Sequence, residues 1–477
     1  MRLNKTLLTI STIGASLPSM AAINGLASSE VSLESVAAKA KSDKMNIVLL
    51  FVDDLGWADV GFRNAKFETP NVDQLRRDGL NFERAYVSQP ASSASRASIM
   101  TGMEPVRWQV VRHIENKDAG SGKEYNMWEG DPIAMPSRNF LPLEARTYAE
   151  ALKDYGYYNM FVGKWHLGGP EYWPHKQGFD ETFGISDYGN VSSYYAPFFR
   201  FPNGDDTTKG AAKGELMSDY LTDKAVDMIE NYDKEQPFLL SLSYYNVHTP
   251  NLGKKELVEK YMNEGMSQRD ANYAAQVSVV DTSVGQIRKA LEDKGIADNT
   301  VVIYFSDQGG PFSNYPLRGC KLIDDTLAEG GIRVPLIIYY PNVTKAGTTC
   351  HTPVQAIDIY PTFVEIASGK ECKEEQVNGV SLMPLLKGKE LKERNLHFFR
   401  SYIEQYAALI NGDYKIIKWC TGEYQMYNLK NDIGETTDIQ NVEPERFEKM
   451  KKDLIAWEEE AIPSYENDYK LRFNYKK

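Results

Sequence analysis

An apolar run that stops on two acids, and then recurs in altered form, constrains this chain more than any other feature. Asn46-Ile-Val-Leu-Leu-Phe-Val-Asp-Asp54 carries no polar residue between Ile47 and Val52, the pattern of a central parallel strand buried on both faces. Two adjacent carboxylates after such a run are costly unless paired or bound to a cation. Tyr157 to Val162 is a second strand and leads into Gly163-Lys-Trp-His-Leu-Gly168; Phe238 to His248 ends in histidine; Thr300 to Gly310 ends in Ser-Asp-Gln-Gly-Gly. Helical stretches separate them. Thr69 to Gly79 has an N-cap threonine, Pro70 in its first turn and a glycine stop; Leu143 to Tyr155 is closed by Gly156; Ser218 to Tyr232 keeps its apolar residues on one face; Ser267 to Lys294 stops at Gly295. This alternation predicts an α/β fold: a large, mostly parallel sheet sandwiched by helices. In such sheets ligands bind at the carboxyl edge of the strands. Asp53, Asp54, Lys164, His166, His248 and Asp307 all fall there, so they are expected to converge on an active site.

Further on, Gly330 to Tyr340 reads as a turn and strand, and Asp358 to Ala367 as a helix with Pro361 in its first turn. Beyond about Leu396 the texture changes to short alternating segments, with Asn411-Gly412-Asp413 as a hairpin signal, followed by a Glu/Lys-rich helix from Pro444 to Glu460. The expected division is therefore a catalytic α/β domain over 45–395 and a smaller C-terminal α+β subdomain over 396–477, built on an antiparallel sheet.

A length of 477 residues suits one large domain with a smaller one, and 42% hydrophobic with 25% charged residues is a globular composition. The formal charge of -12 argues against nucleic acid as a partner, while leaving room for a local basic cluster that binds one anion. Met1 to Lys5 and the apolar Thr6 to Leu17 resemble a secretory signal, with Ser19-Met-Ala21 at a cleavage position. Residues 1–22 are accordingly read as a signal peptide and 23–44 as a polar lead-in. The apolar part is too short for a transmembrane anchor, and an exported, periplasmic or extracellular protein is expected. Cys320, Cys350, Cys372 and Cys420 lack metal-ligand spacing; a Cys350–Cys372 disulfide and free buried thiols are both compatible with the sequence.

Five serines crowd the stretch from Ser88 to Gly102, where Arg96 to Thr101 suits a short helix with Gly102 as its C-cap. Ser92 and Ser93 then lie at or just before the helix N-terminus, where free N–H groups favour an anion or polarised oxygen. A plain Ser-rich capping loop with a solvated arginine satisfies the same spacing. The order Ser92-Ser-Ala-Ser-Arg-Ala-Ser-Ile-Met-Thr-Gly102 resembles the signature of the sulfatase family, within the alkaline phosphatase superfamily. Val52-Asp-Asp-Leu-Gly56, Gly163 to Gly168, Phe305 to Gly310, Leu317 to Lys321 with Glu329 to Pro335, Asp358 to Thr362 and Tyr427 to Glu435 follow that family in its order.

The resemblance implies that Ser92 is oxidised to formylglycine by a radical-type maturation enzyme. It implies calcium held by Asp53, Asp54, Asp307 and Gln308 with the modified residue 92. Gln308 departs from the Asn or His usual in the family. Arg96, Lys164, His166, His248 and Lys321 match its sulfate-pocket residues. In the implied mechanism a hydroxyl of the hydrated aldehyde attacks sulfur and Asp307 accepts its proton. His248 with Lys321 protonates the leaving alcohol, and His166 takes the proton from the second hydroxyl. The expected substrate is a sulfated carbohydrate. His175 is expected to touch substrate, and Ser186 to make a small polar contact; His113, His351 and His397 are expected to be structural or on the surface. Tyr194, Tyr195, Phe198 and Phe199 suit either sugar stacking or a structural cluster. A phosphate or phosphonate ester hydrolase of the same superfamily, and a catalytically silent binder of sulfated glycans, are the competing readings.

Overall fold

The computed structural model describes residues 44–118, 120–126, 135–201, 204–321, 325–400 and 405–473, with side chains through 462. The signal-type segment and all of the lead-in except Lys44 lie outside the described residues. The main sheet contains β1 (Asn46–Val52), β2 (Leu80–Tyr86), β3 (Tyr158–Gly163), β4 (Glu181–Phe183), β5 (Phe238–Ser243), β6 (Thr300–Ser306), β7 (Arg333–Tyr339), β8 (Thr348–Cys350) and β9 (Val354–Gln355). Its order is β8-β2-β7-β6-β1-β5-β3-β4, with β9 also pairing β2. Strand β7 is antiparallel to both neighbours, and every other pairing in this sheet is parallel.

The apolar run at β1 is unbroken because the strand is covered on both sides. Ile47, Leu49 and Phe51 enter one core, and Val48, Leu50 and Val52 enter the other. Helices α1 (Pro70–Asp78), α4 (Met217–Glu230) and α6 (Gln268–Asp293) supply Val72, Leu221 and Val280 to the second core. Helices α2 (Ser92–Thr101), α3 (Tyr148–Lys153) and α7 (Ile359–Ser368) supply Ile99, Leu152 and Phe363 to the first. Helix α5 (Lys255–Asn263) packs on α6.

Two elements differ from the sequence expectation. The α3 segment begins at Tyr148 and not at Leu143, because Thr147 and Glu150 form a reciprocal capping box, Glu150 N to Thr147 Oγ1 at 3.2 Å and Thr147 N to Glu150 Oε2 at 2.8 Å. The sequence reading also passed over β2. Its Glu83-Arg84 pair interrupts the apolar pattern, and the structure accommodates it with a register shift against β7 between Phe82 and Ala85. Arg84 pairs there with Asp413 at 2.8 Å.

The C-terminal segment forms β10 (Asn395–Phe399), β11 (Gln405–Asn411), β12 (Tyr414–Trp419) and β13 (Tyr424–Asn428), an antiparallel sheet in that order, with α8 (Pro444–Phe473) beside it. The hairpin turns where Asn411 pairs Tyr414, with Gly412 at φ 55°. One face of the sheet, with Phe398, Ile410 and Ile417, extends the first core; the other, with Leu409, Ile416 and Met426, packs on Leu454 and Trp457 of α8. The described residues from Lys44 onward accordingly form one compact unit. Across the join, the fully buried Lys415 lies 3.0 Å from Glu329 and 2.9 Å from Glu435. The four cysteines are free thiols, three part-exposed and Cys420 exposed. Among the described residues no helix is long and apolar enough to cross a membrane.

Helix α1 is capped from outside itself. Thr69 occupies its N-cap position, but its hydroxyl accepts from Gly61 N at 2.7 Å and donates to Asp73 at 2.9 Å. Asp281 of α6 takes over, accepting from Asn71 N at 2.9 Å, Val72 N at 2.8 Å and Asn71 Nδ2 at 2.8 Å. Burial raises its pKa from 3.8 to about 6 against the lowering effect of those bonds. A raised folded-state pKa contributes stability that is complete below the unfolded value and is lost as pH rises through the folded one. Asp281→Ala is therefore expected to cost about 1–2 kcal/mol through the lost cap. Its deficit relative to the unaltered protein should be largest below pH 3.8 and shrink as pH rises through about 6. Urea midpoints of both proteins across that range measure this difference.

Candidate active site

Parallel neighbours β6, β1, β5 and β3 all end at one edge of the sheet, and the residues that follow each meet there. Asp53 and Asp54 leave β1, Asp307 and Gln308 leave β6, and Lys164 and His166 leave β3; His248 follows β5 through a short loop. Strand β2 points the same way and leads through residues 87–91 into α2, whose first residue is Ser92. The Ser-rich segment is helical from Ser92, it ends on a left-handed Gly102, and every residue between is buried.

The Ser92 hydroxyl accepts from Gln308 Nε2 at 2.8 Å and lies 3.3 Å from Asp53 Oδ1. Asp53, Asp54 and Asp307 offer carboxylate oxygens within 4.8 Å of one another, and all three are buried. Each meets a cation. Lys164 Nζ is 2.5 Å from Asp53, Lys321 pairs with Asp54, and Arg96 Nη2 is 3.0 Å from Asp307 Oδ2 and 3.6 Å from Asp53 Oδ1. Arg96 is fixed further by Lys164 O at 3.0 Å and Ser243 Oγ at 2.6 Å. Ser243, a small polar residue at the end of a buried strand, was missed in the sequence; only that placement hinted at a role.

The acids are shaped by burial and by each other. Asp307 is pushed up to about 6, first by burial and then by the Asp53 charge. Burial pulls Lys164 down, opposed by Asp53. Backbone strain gathers here as well: Asp54 sits at φ 64° and His166 at φ 57°. Asp54 N donates to Asp307 Oδ1 at 3.0 Å, and Tyr273 OH donates to Asp54 O at 3.2 Å, which holds that conformation.

Crowded carboxylates fit a hard cation. The side chains offer oxygens alone, a set that suits calcium or magnesium better than zinc. Gln308 belongs to this set. Its Nε2 donates to Asp54 Oδ1 at 2.7 Å and to Ser92, while its Oε1 is buried without a hydrogen-bond partner. Turning the amide over would place that oxygen beside the carboxylate oxygens, as a further ligand for a cation between them.

A cavity of about 350 Å³ opens above the cluster, with Ser92, His166, His248, Gln308 and Lys321 in its lining. His248 Nε2 lies 3.6 Å from Asp54 Oδ2, and its Nδ1 meets Thr249 O at 2.8 Å. Burial, then Lys321, lowers its pKa to about 3. His166 Nε2 meets Ile114 O at 2.8 Å, leaving Nδ1 buried and unpartnered. Burial and Lys164 push its pKa well below the ordinary value. Gly189 lies against this ring so closely that a Cβ there would stand 2.1 Å from His166 Nε2.

Other expectations meet a different outcome. His175 lies on an exposed turn and is absent from the cavity lining, because Pro174 is buried beneath it and Trp173 is tied to Asp187 Oδ1 at 2.8 Å. Ser186 is buried and accepts from Tyr188 N at 3.1 Å, away from the cavity lining. Tyr194 and Phe198 belong to the second core and Tyr195 and Phe199 pack against it, which favours the structural alternative over sugar stacking. His397 stacks on Trp457 at 5.0 Å in a structural contact. His113, expected to be structural or on the surface, instead lines the cavity with Glu115, Asn116, Asn190 and Thr249. These sit on loops, where no periodicity marks them.

Comparison with known proteins accords with this geometry. The sequence profile described as Sulfatase matches residues 45–369, and the one described as N-sulphoglucosamine sulphohydrolase, C-terminal, matches 324–460. The chain is 30% identical over 519 residues to a sulfatase from Formosa agariphila, covering 91% of this chain and 92% of that one. It is 29% identical over 433 residues to human N-acetylgalactosamine-6-sulfatase, covering 85% and 78%. The crystal structure of Ps i-CgsB in complex with k-i-k-neocarrahexaose superposes with a TM-score of 0.75 at 30% identity, covering 87% of this chain and 93% of that one. The chain thus belongs to the sulfatase family, and it is a sulfuric ester hydrolase.

Proposed function

We propose that this enzyme hydrolyses O-sulfate esters of carbohydrates, using a formylglycine derived from Ser92 and a calcium ion held by Asp53, Asp54, Asp307 and Gln308. The observation that carries this reading is the position of Ser92: first residue of α2, on the cavity floor, between Asp53 and Gln308. Two relatives with sugars in their names or complexes support a carbohydrate substrate. The basic and apolar residues of the first segment support export.

A hydrated aldehyde at position 92 supplies the attacking hydroxyl and, with a divalent cation beside it, a low-barrier way to release sulfate that plain serine lacks. Around it the chain's own groups divide the work. Arg96, clamped by Asp307, Lys164 O and Ser243, holds charge against the side chain at 92. Asp307, buried beside the Asp53 charge, accepts the proton of the attacking hydroxyl. Lys164 and Lys321 bind the sulfate oxygens, each already desolvated beside its acid. Lys321, with His248 beside it, protonates the departing alcohol, because the neutral His248 ring keeps its proton at Nδ1 on Thr249 O. His166 keeps its Nε2 proton on Ile114 O, so that its unpartnered Nδ1 takes up the second proton. A two-metal phosphoesterase is less well supported, since a single cluster of three metal-competent side chains occurs among the described residues.

Mass spectrometry of the peptide containing Ser92, after expression with an anaerobic serine-type maturation enzyme, should show a loss of about 2 Da, and Ser92→Ala should release no sulfate. An unaltered mass in a protein that still releases sulfate would remove the aldehyde from the mechanism. Calcium added to chelator-treated protein at about 100 times its dissociation constant should stabilise it by about 2.7 kcal/mol, a gain of a few degrees in melting temperature. A calcium-independent melt would contradict the metal assignment.

A further inference from the structure

Close to the acid cluster lies a further buried carboxylate that the chemistry above leaves idle. Asp59 is 1% exposed, and its Oδ1 is buried without a hydrogen-bond partner. Its Oδ2 accepts from Gly56 N at 3.0 Å and from Tyr273 OH at 2.6 Å. A carboxylate enclosed with so few donors is costly to bury, and its placement shows what it does. Tyr273, on α6 and also 1% exposed, packs its ring on Phe312 at a centroid distance of 4.3 Å and meets Phe67 edge-on at 6.0 Å. Its hydroxyl is fixed by that packing, and it reaches Asp54 O at 3.2 Å as well as Asp59. One rigid side chain therefore touches the peptide of a residue held at φ 64°, a conformation that a non-glycine residue keeps only when its surroundings impose it.

The loop after β6 closes on the same pair. A Cβ at Gly310 would stand 2.6 Å from Asp59 Oδ2 and 2.9 Å from both Tyr273 OH and Gly56 N, nearer than side chains pack, so glycine is what lets this backbone approach. Gly310 O in turn accepts from Lys321 N at 3.1 Å. Asp59 and Tyr273 thus stand where the loop that carries Asp53 and Asp54 meets the loop that carries Asp307 and Gln308.

We propose that Asp59 and Tyr273 are positioning residues for the metal centre: acting from the loop after β1 and from α6, they fix the peptide of Asp54 and hold the loops after β1 and β6 at the separation that brings their side chains onto one cation. This rests on the metal assignment proposed above. Neither residue belongs to the cavity lining, so their effect passes through the ligands they hold.

The test is calorimetric titration of calcium into the matured, chelator-treated enzyme and its variants, each first shown to be folded by circular dichroism. Tyr273→Phe removes one hydroxyl and keeps the packed ring; it should raise the calcium dissociation constant by about tenfold, and Asp59→Ala should do the same. Asp281→Ala is the control for a merely structural role, since it lies on the same helix and costs stability at the cap of α1; it should move the constant by less than about twofold. Should Asp59→Ala fail to fold, Tyr273→Phe alone decides. A rise below about threefold in a folded variant of either residue, or an equal loss of affinity in Asp281→Ala, overturns this inference alone. No calcium bound by the unaltered enzyme overturns the metal assignment and the inference with it.

Discussion

Three buried acids locked to three buried cations govern this molecule. Asp53 with Lys164, Asp54 with Lys321 and Asp307 with Arg96 leave a sheet edge that is charge-balanced yet highly polar inside a protein core. Removing one member strands its partner away from water, which typically costs 3–5 kcal/mol, so the cluster is as much a demand on the fold as a product of it. It also sets up the proposed chemistry. A divalent ion drawn to the acids would weaken their hold on the cations and leave positive charge facing a sulfate.

The scaffold meets that demand by direction. Strands β6, β1, β5 and β3 run in parallel, so residues far apart in sequence arrive side by side without long connections. The strands that carry this arrangement were legible because a strand covered on both faces is apolar throughout, and the first ionisable residue marks where the covering stops. Asp53, Asp54, Asp307, Lys164 and His166 could be located for that reason alone.

What escaped the sequence lacked such a marker. Strand β2, interrupted by Glu83 and Arg84, reads as polar because those residues pair with charges brought from elsewhere in the chain, Arg63 and Arg333 for Glu83 and Asp413 for Arg84. His113 sits in a loop whose position depends on Ser93 and His166, contacts with no trace in local spacing. His175 departs in the opposite sense, lying exposed and outside the described cavity lining. Nearness in sequence to a pocket motif suggested involvement, and an intervening turn aims it at solvent. The helix at α3 began late for a capping reason visible only once Thr147 and Glu150 are seen to bond each other.

The buried Lys415 ties the last part of the chain to the rest. Its partner Glu329 opens the turn before β7, in the stretch that follows Lys321, and also receives Tyr86 OH at 2.9 Å from the strand leading toward Ser92. Trimming the C-terminal sheet to obtain a smaller catalyst would strip Glu329 of its lysine and leave Arg333, at 3.3 Å, and Tyr86 to hold it at the root of two functional loops. The sheet that looks like an appendage in sequence is thus a keystone, wedged by one lysine between Glu329 and Glu435.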